Sequence, residues 1–292
     1  MIGILYALFS AILKGVQTIY NKKNAVDSGV YVTSFSVRFI PIIIVGPMLI
    51  IKLYFSGMPE IGGRFYLALV ISGVINIIAT LVKIKAYEIS DVSLIAPITS
   101  ISPGLTAIAA FFIVNESTTL LGSIGLILIM VGVYVMNLKK EMTLLEPFIS
   151  IFKHRGVQLI FLVLLLYSVS ASYDKIGVLA SSPILWVLAI HIFISLALFP
   201  IMKKVETNWR KKFLDNKKNL IIMGLLSGGS IIFQMMSLEL ILVSYTISIK
   251  RMSVLISVFL SWVILGEKNN IKKRALASFI ILLGGAIITL SI

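Results

Sequence analysis

With 292 residues, 59% of them hydrophobic and 13% charged, and a mean hydropathy of +1.05, the chain carries more apolar surface than a water-soluble fold of this length can bury. Its formal net charge of +14 would suggest nucleic acid in a soluble protein, but most Lys and Arg sit in short connectors between long apolar runs, which ties them to orientation in a bilayer and argues against a nucleic-acid partner. There is no cysteine, so disulfides and thiolate metal sites are excluded, and neither a metal nor any other cofactor is expected.

The apolar runs approach or exceed the roughly 20 residues that a helix needs to cross a hydrocarbon core, and they are continuous, not alternating, so they read as helices. Ten spans are predicted: 2–20, 31–51, 65–86, 92–114, 118–136, 157–175, 183–202, 219–238, 241–264 and 274–291. The first has no basic leader and ends on Lys22 and Lys23, not on a small-residue cleavage site, so it reads as a span and not a signal peptide. The expected setting is a multi-pass protein of the cell membrane, with the lipid bilayer as one partner.

Charged groups at membrane depth cost at least about 2.5–3.5 kcal/mol each, so polar residues within spans carry the most information. In span 1, Ser10, Lys14, Gln17 and Asn21 share one helical face. In span 2, Arg38 could serve a site or pair with Asp27 or Asp91, and Pro41 and Pro47 interrupt the helix. Span 3 carries Asn76, Thr80, Lys83 and Tyr87 on one face, although Lys83 and Lys85 lie near enough to an end to snorkel. Span 4 contains Pro97 and Pro103, read either as hinges or as ordinary bends.

Span 5 carries Gly122, Gly125 and Gly132, and span 10 carries Gly284 and Gly285. Both read as close-packing helices, through which a homodimer could form. Tyr167, Ser170 and Asp174 form a stripe in span 6; His191 in span 7 reads as a packing histidine. Span 8 presents Ser227, Ser230, Gln234 and Ser237, and span 9 buries Lys250-Arg251 about nine residues deep. The pair reads either as a clamp for an anion, the Arg as a planar fork and the Lys as a point charge, or as internal salt bridges to Glu239, Glu88 or Asp174. Together, inward-facing stripes would line a wet cavity; the competing reading is hydrogen-bonded packing between helices.

The halves repeat. Tyr20-Asn21-Lys22 recurs as Tyr173-Asp174-Lys175 at an offset of 153, where Arg38 falls on His191. Glu88, Val92, Ser93 and Glu116 fall on Glu239, Val243, Ser244 and Glu267 at an offset of 151. This divides the chain into a five-helix repeat over 1–136, a connector over 137–156 and a second five-helix repeat over 157–292. An odd number of helices per unit inverts the second in the membrane, the arrangement of secondary transporters with sites at the repeat interface. Connectors after odd-numbered spans, counting Lys83 and Lys85 with them, hold 19 Lys and Arg; those after even-numbered spans hold only Lys52, Arg64 and Lys175. The charge rule therefore puts both termini outside.

Ala86-Tyr87-Glu88, Val92-Ser93-Leu94, Pro97, Pro103, Asn115-Glu116 and Gly132-Val133, with Val243-Ser244-Tyr245, Leu265-Gly266-Glu267, Ala275 and Gly284-Gly285 in the second half, resemble the drug/metabolite transporter superfamily in its EamA branch. Lys250-Arg251 is also similar to the phosphate-binding Lys-Arg pair of that superfamily's phosphate translocators. The resemblance implies alternating access, a cavity lined by spans 1–4 and 6–9, peripheral spans 5 and 10, and cytoplasmic termini, against the charge count. Ser248 and Val254 replace Pro97 and Pro103 in the second repeat, which puts symmetric hinging in doubt.

The expected function is secondary transport of a small polar metabolite bearing a carboxylate or phosphate. Lys14, Lys83, Lys250 and Arg251 would attract it. Gln17, Asn21, Tyr167, Ser170 and Gln234 would orient it, and Glu88, Asp174 or Glu239 would carry a proton or counter-charge. No Gly-x-x-x-x-Gly-Lys loop is present for ATP. An exporter of zwitterionic amino acids or cationic drugs is the alternative. A membrane-embedded enzyme acting on lipid would need clustered acids or a His dyad, and the chain is not expected to be an enzyme.

Overall fold

The computed structural model describes residues 1–23, 28–139, 142–266 and 271–292; Asp27 and Glu267 lie outside them. Among the described residues there is no strand, and ten helices are long and apolar enough to cross a membrane. They are span 1 (Ile2–Lys23), span 2 (Val30–Ser56), span 3 (Gly63–Ile89), span 4 (Val92–Ile98 and Ser102–Val114), span 5 (Leu120–Asn137), span 6 (Arg155–Leu179), span 7 (Pro183–Val205), span 8 (Lys217–Leu240), span 9 (Val243–Arg251 and Ser253–Leu265) and span 10 (Ile271–Leu290). Helices run past the apolar core at several ends because polar residues continue the backbone ladder into the interface. Two short helices that hydropathy does not reveal, Glu146–Lys153 and Trp209–Asp215, occupy the two longest connectors.

The packing is that of two inverted five-helix repeats. Span 1 packs against span 8 and span 3 against span 6, each pair being the other with the repeats exchanged. The second half of span 4 packs on span 6 as the second half of span 9 packs on span 1. Spans 2 and 7 pair across the centre, and spans 5 and 10 pair at the side.

The glycines of spans 5 and 10 face each other. A Cβ on Gly125 would lie 2.7 Å from the Gly284 carbonyl, and the reverse distance is also 2.7 Å. The close-packing faces are therefore occupied within the chain, and a homodimer through these spans would use their outer apolar faces.

Spans 4 and 9 both break midway. Span 4 passes through a 3-10 turn at Thr99–Ile101, just after Pro97, with Pro103 opening the next helix. Span 9 breaks at Met252 without proline, as the Met252 amide turns to the Ile249 carbonyl at 2.9 Å. The breaks are thus symmetric despite Ser248 and Val254, so packing imposes what proline alone would have suggested in one repeat. The following helices, Ser102–Val114 and Ser253–Leu265, correspond at the offset of 151 and end on left-handed caps, Asn115 (φ 55°) and Gly266 (φ 67°). Both residue types tolerate that conformation.

Candidate functional site

A cavity of about 410 Å³ lies between the repeats. Lys14, Arg38, Lys250 and Arg251, the four cations left within the membrane by the connector count, all line it, and Lys83 joins them. Each is positioned by a neutral group. Lys14 Nζ donates to Gln17 Oε1 at 2.8 Å, and Lys250 Nζ donates to Gln234 Oε1. Arg251 Nε donates to Ser102 Oγ at 2.8 Å, and Arg38 Nη2 reaches Asn76 Oδ1 at 3.4 Å. Lys83 Nζ sits 5.9 Å from the centroid of the Tyr87 ring. Among the described residues none of the five has a carboxylate within ion-pairing distance, so the internal salt bridges to Glu88, Asp174 or Glu239 do not form.

Asp174 is the acid on the cavity wall, and neutral donors occupy it. Its Oδ1 accepts from Ser72 Oγ at 2.5 Å and from Trp186 Nε1 at 3.2 Å. Ser72 also meets Ser170 at 3.0 Å, and Asn76 Nδ2 donates to Ser170 Oγ at 2.6 Å. This network ties spans 3, 6 and 7 together at the floor of the cavity. His191, the repeat partner of Arg38, lines the wall while its Nδ1 contacts the Val187 carbonyl at 2.9 Å.

Of the residues singled out by sequence, Lys14, Gln17, Lys83, Tyr167, Ser170, Asp174, Gln234, Lys250 and Arg251 converge on this cavity. The remaining binding and counter-charge candidates, Asn21, Glu88 and Glu239, do not. Asn21 is exposed at the end of span 1, where its stripe runs out of the membrane. Glu88 is exposed and pairs with Lys85 at 3.1 Å, and Glu239 is exposed at the end of span 8. Pro97 and Pro103 flank the break in span 4, away from the lining. Sequence reasoning missed Ser102, Thr106 and Ser168, whose small polar side chains become informative only once their neighbours are known, and read His191 as a packing residue; Asn76 was seen only as part of a stripe.

Residue matches cover both halves. A model of the EamA-like transporter family matches residues 1–138 and again 154–291. The chain belongs to the EamA-like transporter family. One solved structure, described only as the crystal structure of a protein, matches the fold with a TM-score of 0.75 over 99% of this chain and 96% of that one, at 12% identity. No curated protein matches the chain.

In this EamA-like transporter the two repeats are tied together near the connectors that follow even-numbered spans. There the Glu116 carboxylate accepts the Val243 amide at 2.7 Å, at the start of span 9, and pairs with Lys175 of span 6. Lys175 also donates to the Ile241 carbonyl at 2.9 Å. The family motif Asn115-Glu116 thus acts structurally, because the left-handed Asn115 turns the carboxylate onto the opposite repeat. Lys175, counted from sequence among connector charges, is largely buried in this latch.

Toward the other side, a space of about 230 Å³ shares Val37, Arg38, Lys83 and Tyr167 with the cavity and extends it to Val30 and Tyr87. Val30, Lys83 and Tyr87 are exposed, so the cavity opens toward the lysine-rich connectors.

Proposed function

We propose that this membrane transporter carries a small organic anion, bearing a carboxylate or phosphate, through the cell membrane by secondary active transport. The observation that carries the reading is the charge balance of the cavity: among the described residues, five cations held by amides, a hydroxyl and an aromatic ring face a single carboxylate, which is already bonded to a serine and a tryptophan. Neutral tethers fix the cations without neutralising them. Between low-dielectric protein walls an anion gains most where no counter-ion competes.

Lys250, Arg251 and Lys14 are the proposed anion contacts, with Arg38 and Lys83 drawing substrate in from the open side. Gln17, Tyr167, Ser170 and Gln234 are the proposed orienting groups. Asp174 is the candidate for a coupled proton, because protonation would leave its acceptor bonds from Ser72 and Trp186 available. The symmetric breaks in spans 4 and 9 supply hinges by which the two repeats would alternate. On the positive-inside rule the open mouth lies on the cytoplasmic side.

A zwitterionic amino acid or cationic drug would require Lys250 and Arg251 to be consumed by internal pairs, an arrangement that the neutral tethers argue against. The test is a thermal-shift and proteoliposome-uptake series with organic acids, sugar phosphates, nucleotides and amino acids, run on the native chain and on Lys250→Gln/Arg251→Gln. Stabilisation and uptake by an anion, with affinity falling by more than tenfold in the double variant, is expected. Unchanged handling of that anion would reject the clamp.

A further inference from the structure

A second cavity, of about 470 Å³, lies on the outer side of spans 2 and 7 and shares no lining residue with the central one. Its walls are aromatic. Phe35 packs on Phe39 (centroids 5.2 Å apart) and on Phe199 (5.6 Å), and Phe199 meets Trp209 edge-on (5.7 Å). Trp209 and Phe213, four residues apart on the short helix Trp209–Asp215, close the end nearest the lysine-rich connectors. Leu196 is 71% exposed on the open side, where hydrocarbon would lie. Deep in the groove, Ser195 is 4% exposed and its Oγ has no hydrogen-bond partner among the described residues.

The groove has a defined length and a charged end. Ser195 lies ten residues before Val205, the end of span 7, which at 1.5 Å per residue is about 15 Å. That depth is about half the hydrocarbon thickness, the reach of one leaflet. Next in the chain to the lining residues Met202 and Trp209, Lys203, Lys204, Arg210 and Lys211 are all exposed, with no carboxylate within ion-pairing distance among the described residues. Lys212 differs from them, being held by Glu206 at 2.5 Å. A one-leaflet apolar slot ending in a basic cluster is complementary to one class of molecule available in a membrane. The acyl chain fills the slot, and a headgroup phosphate meets the cations.

We propose that this groove is a specific site for an anionic glycerophospholipid, one acyl chain lying against Phe35, Phe39, Leu196 and Phe199, and the headgroup among Lys203, Lys204, Arg210 and Lys211. The site is independent of the transported substrate. It is placed to act on transport all the same, because Arg38 and His191 project from the same two helices into the central cavity.

The test uses intrinsic fluorescence. The chain has three tryptophans: Trp186 is wholly buried, Trp262 is 48% exposed on span 9, and Trp209 caps the groove. In the Trp262→Phe protein, reconstituted in vesicles, brominated phosphatidylglycerol and brominated phosphatidylcholine are titrated against unlabelled phosphatidylcholine. Quenching of Trp209 at roughly tenfold lower mole fraction of the anionic lipid is expected. Lys203→Gln/Lys204→Gln/Arg210→Gln/Lys211→Gln removes that preference and leaves the quenching itself, and Ser195→Leu, which crowds the groove floor, weakens quenching by both lipids. Equal quenching by the two lipids, or a preference that survives loss of the four cations, overturns the proposal. Protection of Trp209 from both lipids also overturns it, since a protein surface would then cover the groove.

Discussion

Replacing Glu116 by Gln probes whether one contact keeps the far side of the cavity shut. The native carboxylate binds two things at once, the Val243 amide and the Lys175 ammonium, with side chains only 11% and 12% exposed. The amide oxygen of Gln can still accept from Val243, but Lys175 is left as a mostly buried cation with the Ile241 carbonyl as its remaining partner. Breaking a buried pair from one side costs about 3–5 kcal/mol, and slight exposure places this one at about 3 kcal/mol. The proposed alternating access requires this side to open, so the same loss is expected to shift the closed-to-open ratio by about two orders of magnitude.

The natural absence of cysteine makes the assay direct, because a single Ala171→Cys on the cavity wall is the only thiol in the chain. Its labelling by a membrane-impermeant maleimide from the even-connector side is expected to accelerate strongly in Glu116→Gln. Lys175→Gln has a similar effect, and in the double variant the stability cost is well below the sum of the singles. An unchanged labelling rate, or costs that simply add, would refute the latch.

Other expectations follow from the same geometry. Arg251→Lys keeps the charge but loses the fork and the bond to Ser102, so anion affinity is expected to fall roughly tenfold, about 1.4 kcal/mol, in the thermal-shift titration. Asp174→Ala strands the Trp186 indole N–H and leaves the Ser72 hydroxyl only Ser170 as acceptor, at about 2 kcal/mol by unfolding in detergent, whereas Asp174→Asn, which keeps an acceptor, costs less than half of that. Gly125→Leu drives a side chain into the Gly284 backbone and is expected to destabilise by about 3 kcal/mol. Substrate affinity of the folded fraction would be unchanged, since spans 5 and 10 do not line the cavity.

Lys14, Lys250 and Arg251 were legible as site candidates because a charge deep in an apolar run is costly wherever it points, and that cost is visible in one dimension. Asn21 was legible only as the last member of a stripe whose earlier members, Lys14 and Gln17, reach the cavity, and Glu88 and Glu239 only as a repeat pair; all three are exposed at helix ends. Glu116 and Lys175 looked like a motif residue and a connector charge. They lie 59 positions apart in the sequence, in opposite repeats, and no periodicity links them.

Hydropathy, span parity and the internal offsets determined by themselves that the chain crosses the membrane ten times in two related, oppositely inserted units, because lipid forces every backbone group into a helix and leaves apolar length as the only variable. Which cations stay unneutralised, that Asp174 is occupied, that span 9 breaks without proline and that one mouth is latched were decided only in three dimensions. Each depends on side chains from different spans meeting, and the sequence orders residues along a helix without saying which neighbour that helix will find.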